Sequence, residues 1–341
     1  MRAFVTGIAG FAGSHLAELL LGRGVEVHGL VLDGGDCENL EGCSAGAAAG
    51  RLHLHHGNVQ DGNLLRDLVK GIRPEQVYHL AALSSVRRSQ EDPGETFRVN
   101  VLGTWNVLEA VRHGGNRPRV LLVSSAEAYG ESAQQPRPLR EEDPLLPMTP
   151  YGASKAAGEL LAGRYGGKNG LDIVRVRPFP HTGPRHAANF VFSDFAKQLA
   201  EIEAGVREPV IRTGNLDVRR DITDVRDMVR AYWLAVERGE GGMVYNVCSE
   251  AVYSLREVVE RLRAQAPMAV PVVTEPGRLR HHDVQILWGS NQRFRERTGW
   301  TPEIPLERTL ADLVAYWRAR LPGVGGQARL GTRETGMHPN R

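Results

Sequence analysis

The 341-residue chain is 41% hydrophobic and 24% charged with a formal net charge of +2, which excludes a disordered or fibrous protein and suits a large α/β unit with a smaller companion. Its basic residues are scattered and form no stripe able to follow a phosphate backbone, so no nucleic-acid partner is expected. No apolar run approaches the ~20 residues of a membrane span, and the opening Met1-Arg2-Ala3-Phe4-Val5-Thr6 leaves no room for a secretory leader, so neither membrane insertion nor secretion is expected.

Short apolar runs predict strands near 2–6, 25–32, 51–55, 76–81, 119–124, 171–177 and 243–248. Segments of helical period between them predict helices at 12–22, 62–71, 99–113 and 151–166. This alternation gives a parallel sheet covered by helices, with ligands at the carboxyl ends of its strands. The first strand runs into Thr6-Gly7-Ile8-Ala9-Gly10-Phe11-Ala12-Gly13. Gly7, Gly10 and Gly13 there allow a tight turn and close backbone approach. With Phe11 and Ala12 at a helix amino end, they predict a cradle for the pyrophosphate of a nicotinamide dinucleotide.

Asp33, after the second strand, either accepts hydrogen bonds from an adenosine ribose or is a solvated loop aspartate before Gly34-Gly35. Asn58 and Asp61 follow the third strand, where the adenine edge is expected. His53 and His55 fall on one strand face and His56 on the other, and Cys37 and Cys43 add no convergent spacing, so no metal site is expected. Cys37, Cys43 and Cys248 are an odd number without disulfide spacing, which points to a reducing compartment, by default the cytoplasm.

Beyond the fifth strand stands Ser124-Ser125-Ala126-Glu127-Ala128-Tyr129-Gly130. Ser125 is placed to hydrogen-bond a substrate carbonyl oxygen. Glu127 either takes a C–H proton or caps the loop. In Tyr151-Gly152-Ala153-Ser154-Lys155 the four-residue step puts phenol and ammonium on one helix face. The expectation is that the lysine lowers the phenol pKa, that Tyr151 acts as general acid or base, and that Lys155 also reaches the nicotinamide ribose.

After Arg177-Pro178 the regularity weakens, and 224–248 returns to a helix and a strand. The chain is therefore read as a Rossmann-type, doubly wound α/β domain of 1–178 with 219–250. A smaller, discontinuous substrate domain takes 179–218 with 251–321, and 322–341 is a flexible tail.

With TGIAGFAG, His79-Leu80-Ala81-Ala82, Asn100-Val101-Leu102-Gly103-Thr104, the serine segment, Tyr151 with Lys155 and Arg177-Pro178-Phe179, the chain resembles the extended short-chain dehydrogenase/reductases that process nucleotide sugars. Its carboxyl half resembles the GDP-4-keto-6-deoxy-mannose reductases through Asp194-Phe195-Ala196-Lys197-Gln198, Gly214-Asn215-Leu216-Asp217, Arg220 to Asp227, Val244 to Ser249 and Thr298 to Pro302. GDP-mannose 4,6-dehydratases share Gly-Asn-Leu-Asp but usually follow Arg-Asp with an aromatic, Gly and His rather than Thr223-Asp224-Val225. The resemblance implies cofactor contacts from Val59, Leu80, Ala81, Ala82, Asn100, Ser124 and Pro178 as well. It implies substrate contacts from Ser84 and Asn189, a base-pocket role for Asn215, and diphosphate contacts from Arg220 and Arg280. Pro180 departs from the family, which commonly has an asparagine there.

Three functions compete. A reductase would use NAD(P)H to reduce the C4 ketone of GDP-4-keto-6-deoxy-D-mannose, giving a GDP-6-deoxyhexose such as GDP-D-rhamnose. A GDP-mannose 4,6-dehydratase, or another nucleotide-sugar epimerase or dehydratase, would need Glu127 to remove a sugar proton. A sensor without turnover is opposed by the intact Ser125, Tyr151 and Lys155. The choice between NAD and NADP stays open. A homodimer through helices 99–113 and 151–166 is expected from the resemblance, with Val101, Val107, Leu108, Val111, Leu160 and Leu161 as apolar surface.

Overall fold

The computed structural model describes residues 1–166, 170–278 and 284–321. Seven strands form the central sheet: β1 (Arg2–Thr6), β2 (Glu26–Val31), β3 (Leu52–His56), β4 (Gln76–His79), β5 (Arg119–Val123), β6 (Ile173–Pro178) and β7 (Val244–Val247). Their spatial order is β7-β6-β5-β4-β1-β2-β3, and all pairs are parallel. The chain reverses direction across the sheet between β1 and β4, the crevice where such folds bind ligands. All seven lie on the expected segments, with ends shifted by one or two residues.

The central strands are apolar on both sides because helices cover both faces. On one face α1 (Phe11–Gly22) packs with residues such as Leu16 and Leu20 against β1 and the later helix 225–238. On the other, α2 (Gly62–Ile72) and α3 (Gly103–His113) bury Leu65, Val69, Val107, Leu108 and Val111 with Phe4 and Val120. Local chemistry sets the helix ends. Asp61 caps α2 by accepting from the amides of Asn63 and Leu64, at 3.0 Å each. Thr149, ahead of Pro150, caps α4 (Pro150–Tyr165) through the amide of Gly152 at 3.1 Å.

The predicted helix 99–113 is instead a π-helical turn, Arg98–Leu102, followed by α3, with short helices Val86–Glu91 and Pro93–Phe97 before it. This correction has a physical use, because the wide turn carries Asn100 inward (below).

A separate apolar core joins α5 (Val191–Glu203), α7 (Leu255–Arg263) and α8 (Leu306–Arg318), with Phe195, Leu199, Val258, Leu262, Leu310 and Leu313 at its centre. Between them, α6 (Val225–Arg238) returns to the main sheet. Short strands complete this part: Ile211–Thr213 pairs with Val272–Thr274, and Arg219–Asp221 lies between Val252–Ser254 and Ile286–Leu287. The expected tail 322–341 lies outside the described residues.

Candidate active site

The glycine turn after β1 is packed backbone on backbone. Gly7 has φ +73°, and a Cβ there would stand 2.8 Å from the amide nitrogen of Ala81. At Gly13 a Cβ would lie 2.1 Å from the Gly7 carbonyl oxygen. Glycine is therefore required for α1 to start this close to β1. Gly10 is the N-cap residue and supplies no side-chain cap, which leaves the first-turn N–H groups of α1 to bind an anion. This cradle fits a dinucleotide pyrophosphate. Phe11 stacks on His186 at 4.3 Å and on His181 at 5.8 Å between centroids, so the segment after β6 closes over the start of α1.

The ends of β1 and β4 are tied by His79, whose ring nitrogens lie 2.8 Å from the Thr6 hydroxyl and 3.0 Å from that of Thr104. Burial pushes this histidine down to about 3, so it is a neutral bridge. Leu80, Ala81 and Ala82 follow it beside the glycine turn. Asn100 fastens the same loop, accepting from the amide of Leu83 at 2.8 Å and donating to the Leu83 carbonyl at 3.1 Å and to Ser154 Oγ at 2.9 Å. It is a buried positioning group, and Ser84, just beyond, is exposed.

At the end of β5, Ser124 is buried, its hydroxyl 3.4 Å from the Lys155 carbonyl. Ser125 Oγ accepts from the Glu127 amide at 3.2 Å and opens the turn Ala126–Ala128. Helix α4 approaches this turn so closely that a Cβ on Gly152 would lie 2.5 Å from the Glu127 carbonyl oxygen. That approach brings the Tyr151 side chain beside the Ser125 hydroxyl. Ser89 holds the Tyr151 amide at 3.1 Å, a contact across 62 residues that no local pattern announces. Lys155, one turn on, donates to the Val123 carbonyl at 2.7 Å.

The electrostatics correct one expectation. Burial pushes the Tyr151 phenol up to about 12, opposed by the Ser125 hydroxyl and reinforced by the nearby Glu127 carboxylate. Burial also brings the Lys155 ammonium down to about 8. Tyr151 is thus held as a phenol, a proton donor, at neutral pH. Glu127 is half-buried on the turn beside this pair.

The other expected residues are spread more widely. Asp33 is exposed in the turn after β2, and Asn58 Oδ1 accepts from the Gln60 amide at 2.9 Å, while Val59 is buried under Gly103. Pro178 ends β6, and the Pro180 carbonyl accepts from Thr223 at 3.0 Å. Asn189 is exposed ahead of α5. Asn215 Oδ1 closes a turn onto the Asp217 amide at 3.0 Å, so its oxygen is used by the chain itself. Arg220 is half-buried, and its guanidinium donates to the carbonyls of Arg219 at 2.9 Å and Val284 at 2.8 Å. Arg280 lies outside the described residues.

Residues 4–313 match the family described as GDP-mannose 4,6 dehydratase. The chain is 33% identical to GDP-6-deoxy-D-mannose reductase of Pseudomonas aeruginosa, over 94% of this chain and 98% of that protein. It is 29% identical to human GDP-mannose 4,6 dehydratase, over 92% and 90%. The solved structure of RMD from Pseudomonas aeruginosa complexed with NADPH superimposes with a TM-score of 0.79 at 32% identity, covering 94% of this chain and 99% of that one. The chain belongs to the GDP-mannose 4,6 dehydratase family.

Proposed function

We propose that this chain is a reductase that converts the C4 ketone of GDP-4-keto-6-deoxy-D-mannose to a GDP-6-deoxyhexose such as GDP-D-rhamnose, using NAD(P)H. The observation that carries this reading is the buried Ser125–Tyr151 hydroxyl pair at the carboxyl end of β5, with its phenol kept protonated. A ketone that accepts hydride becomes an alkoxide and needs a proton at once. Tyr151 gives it, while Ser125 shares the developing negative charge. With its pyrophosphate on the Gly7–Gly13 cradle, NAD(P)H would supply that hydride from its nicotinamide ring. Lys155 is positioned to hold the cofactor ribose, and Asn100 and His79 fix the loop after β4. The relative matched over nearly its whole length, a GDP-6-deoxy-D-mannose reductase, supports the same choice.

The second reading, a GDP-mannose 4,6-dehydratase, is favoured by Glu127, half-buried beside Tyr151 on the same turn. The two separate on substrates. As a reductase, the protein consumes added reduced cofactor with the keto sugar and leaves GDP-mannose untouched. Turnover of GDP-mannose without net cofactor change would reverse the assignment.

The same reading places Asn215 at the guanine and Arg220 and Arg280 at the diphosphate, and divides the chain into a cofactor domain and a discontinuous substrate domain at the boundaries given above. The free thiols of Cys37, Cys43 and Cys248 suit a reducing cytoplasm, and no helix among the described residues is long and apolar enough to cross a membrane. We also propose a homodimer through the two helical segments expected to form it, 99–113 and 151–166. Val107, Leu108 and Val111 are buried against the sheet, whereas Leu102, Trp105 and Leu160 are exposed on neighbouring segments. Light scattering showing only monomer at micromolar concentration would reject it.

A further inference from the structure

Far from the carbonyl site, three ligand-type side chains converge on the outer edge of the sheet. In the register of β2 and β3, His28 stands opposite His53, while Glu26 and His55 lie two residues away on the same face. Glu26 Oε1 is 3.1 Å from His28 Nε2 and 3.4 Å from His53 Nε2. One ligand atom from each of the three lies within 4.8 Å of the others. The His28 and His53 rings stack at 4.6 Å, and His28 Nδ1 meets His55 Nε2 at 3.1 Å. The expectation of no metal site rested on Cys37, Cys43 and the histidines of β3; Glu26 and His28 come from the adjacent strand β2, which sequence spacing does not reveal.

We propose that Glu26, His28 and His53 form a binding site for a divalent transition-metal ion of the zinc type, with His55 as the hydrogen-bond partner that orients His28. An ion about 2.0–2.1 Å from each of its ligands places neighbouring ligand atoms about 3.3 Å apart in a tetrahedron. The two Glu26 distances match that edge. Two imidazoles and one carboxylate are borderline donors that suit zinc, and side chains 41% and 42% exposed at Glu26 and His53 admit a water as fourth ligand. With the ion on His28 Nε2, its Nδ1–H donates to His55 Nε2, which fixes the tautomer. Arg2, opposite Glu26 on β1, adds an opposing positive charge, so the site relies on its donor chemistry rather than on net negative field.

The ion would clip the edge strand β3 to β2. Glu26 opens β2, about 16 Å of extended chain from the strand end that faces the cofactor cradle. Metal binding is therefore independent of turnover.

The test is calorimetric titration of untagged, EDTA-treated full-length protein with zinc chloride, paired with thermal unfolding. Wild type binds one more equivalent per chain than Glu26→Gln or His53→Ala, and only wild type gains a higher midpoint from that equivalent. His55→Ala retains the equivalent with affinity reduced about 10–100-fold, as loss of a ligand's orienting partner does. Because Glu26 and His53 are partly exposed, both variants fold and keep wild-type turnover. Equal stoichiometry and affinity in wild type and both variants, or no zinc uptake by wild type at micromolar concentrations, overturns the proposal.

Discussion

Replacing Gly13 by alanine tests how tightly the cofactor cradle is built. The new Cβ would stand 2.1 Å from the Gly7 oxygen, 2.9 Å from the Gly7 carbonyl carbon and 2.9 Å from the Ile8 Cα. All three are backbone atoms, so no side-chain rotation relieves the overlap. Relief to ordinary contact moves the start of α1 off the turn by about 1 Å, against a helix whose Leu16, Ala17 and Leu20 are fully buried. Overpacking of this kind costs about 1–3 kcal/mol. The same shift misplaces the first-turn N–H groups by about 1 Å, a displacement that costs about 100-fold where geometry is demanding. Urea unfolding should show the stability loss, and fluorescence titration with NADH and NADPH a Kd raised at least about tenfold. Gly22→Ala, at the far end of the same helix, is the control: its Cβ meets nothing within 4 Å, so both quantities stay near wild type. Wild-type stability and cofactor affinity in Gly13→Ala would refute the close-packed cradle.

Tyr151→Phe should keep the fold and cofactor binding, because Ser125 retains the Glu127 amide as a partner, while steady-state turnover falls by about 10²–10⁴. Rates near wild type would remove Tyr151 from the chemistry. Arg177→Met should cost about 3–5 kcal/mol by urea unfolding, because Arg177 and Glu159 are 6% and 3% exposed and the substitution strands the carboxylate. The double variant with Glu159→Leu should recover much of that loss, and an unaffected single variant would contradict the buried pair. Lys155, brought down to about 8 by burial, is an ammonium below that pH and loses its charge above it. Cofactor affinity should therefore be flat below pH 8 and weaken above it, by up to about tenfold per unit. Calorimetry across that range should show the break in wild type and not in Lys155→Met; a flat wild-type profile would refute the role of the charge.

The sheet was legible in the sequence because strands such as Phe4-Val5 and Val120-Leu121-Leu122 are buried on both faces and so read as continuous apolar runs. The glycine turn and the Tyr151–Lys155 step were legible because their geometry is local. The short strands Ile211–Thr213 and Val272–Thr274 were not, since three residues carry no period and the partners are 61 positions apart. Ser89, which braces Tyr151, and the Thr6–His79–Thr104 bridge are likewise assembled only by the fold. The raised phenol pKa is hidden for a related reason: the four-residue step to Lys155 is visible in the sequence, whereas the burial that raises Tyr151 is not.

The most direct test of the proposed reductase follows a single hydrogen. With GDP-4-keto-6-deoxy-D-mannose and nicotinamide cofactor carrying deuterium at its transferable C4 position, the purified protein should deliver one deuterium per turnover to C4 of the hexose, read by NMR of the product. Products formed from GDP-mannose with the hydrogen moved internally from C4 to C6, and no deuterium taken from the added cofactor, would contradict it and make the protein a dehydratase.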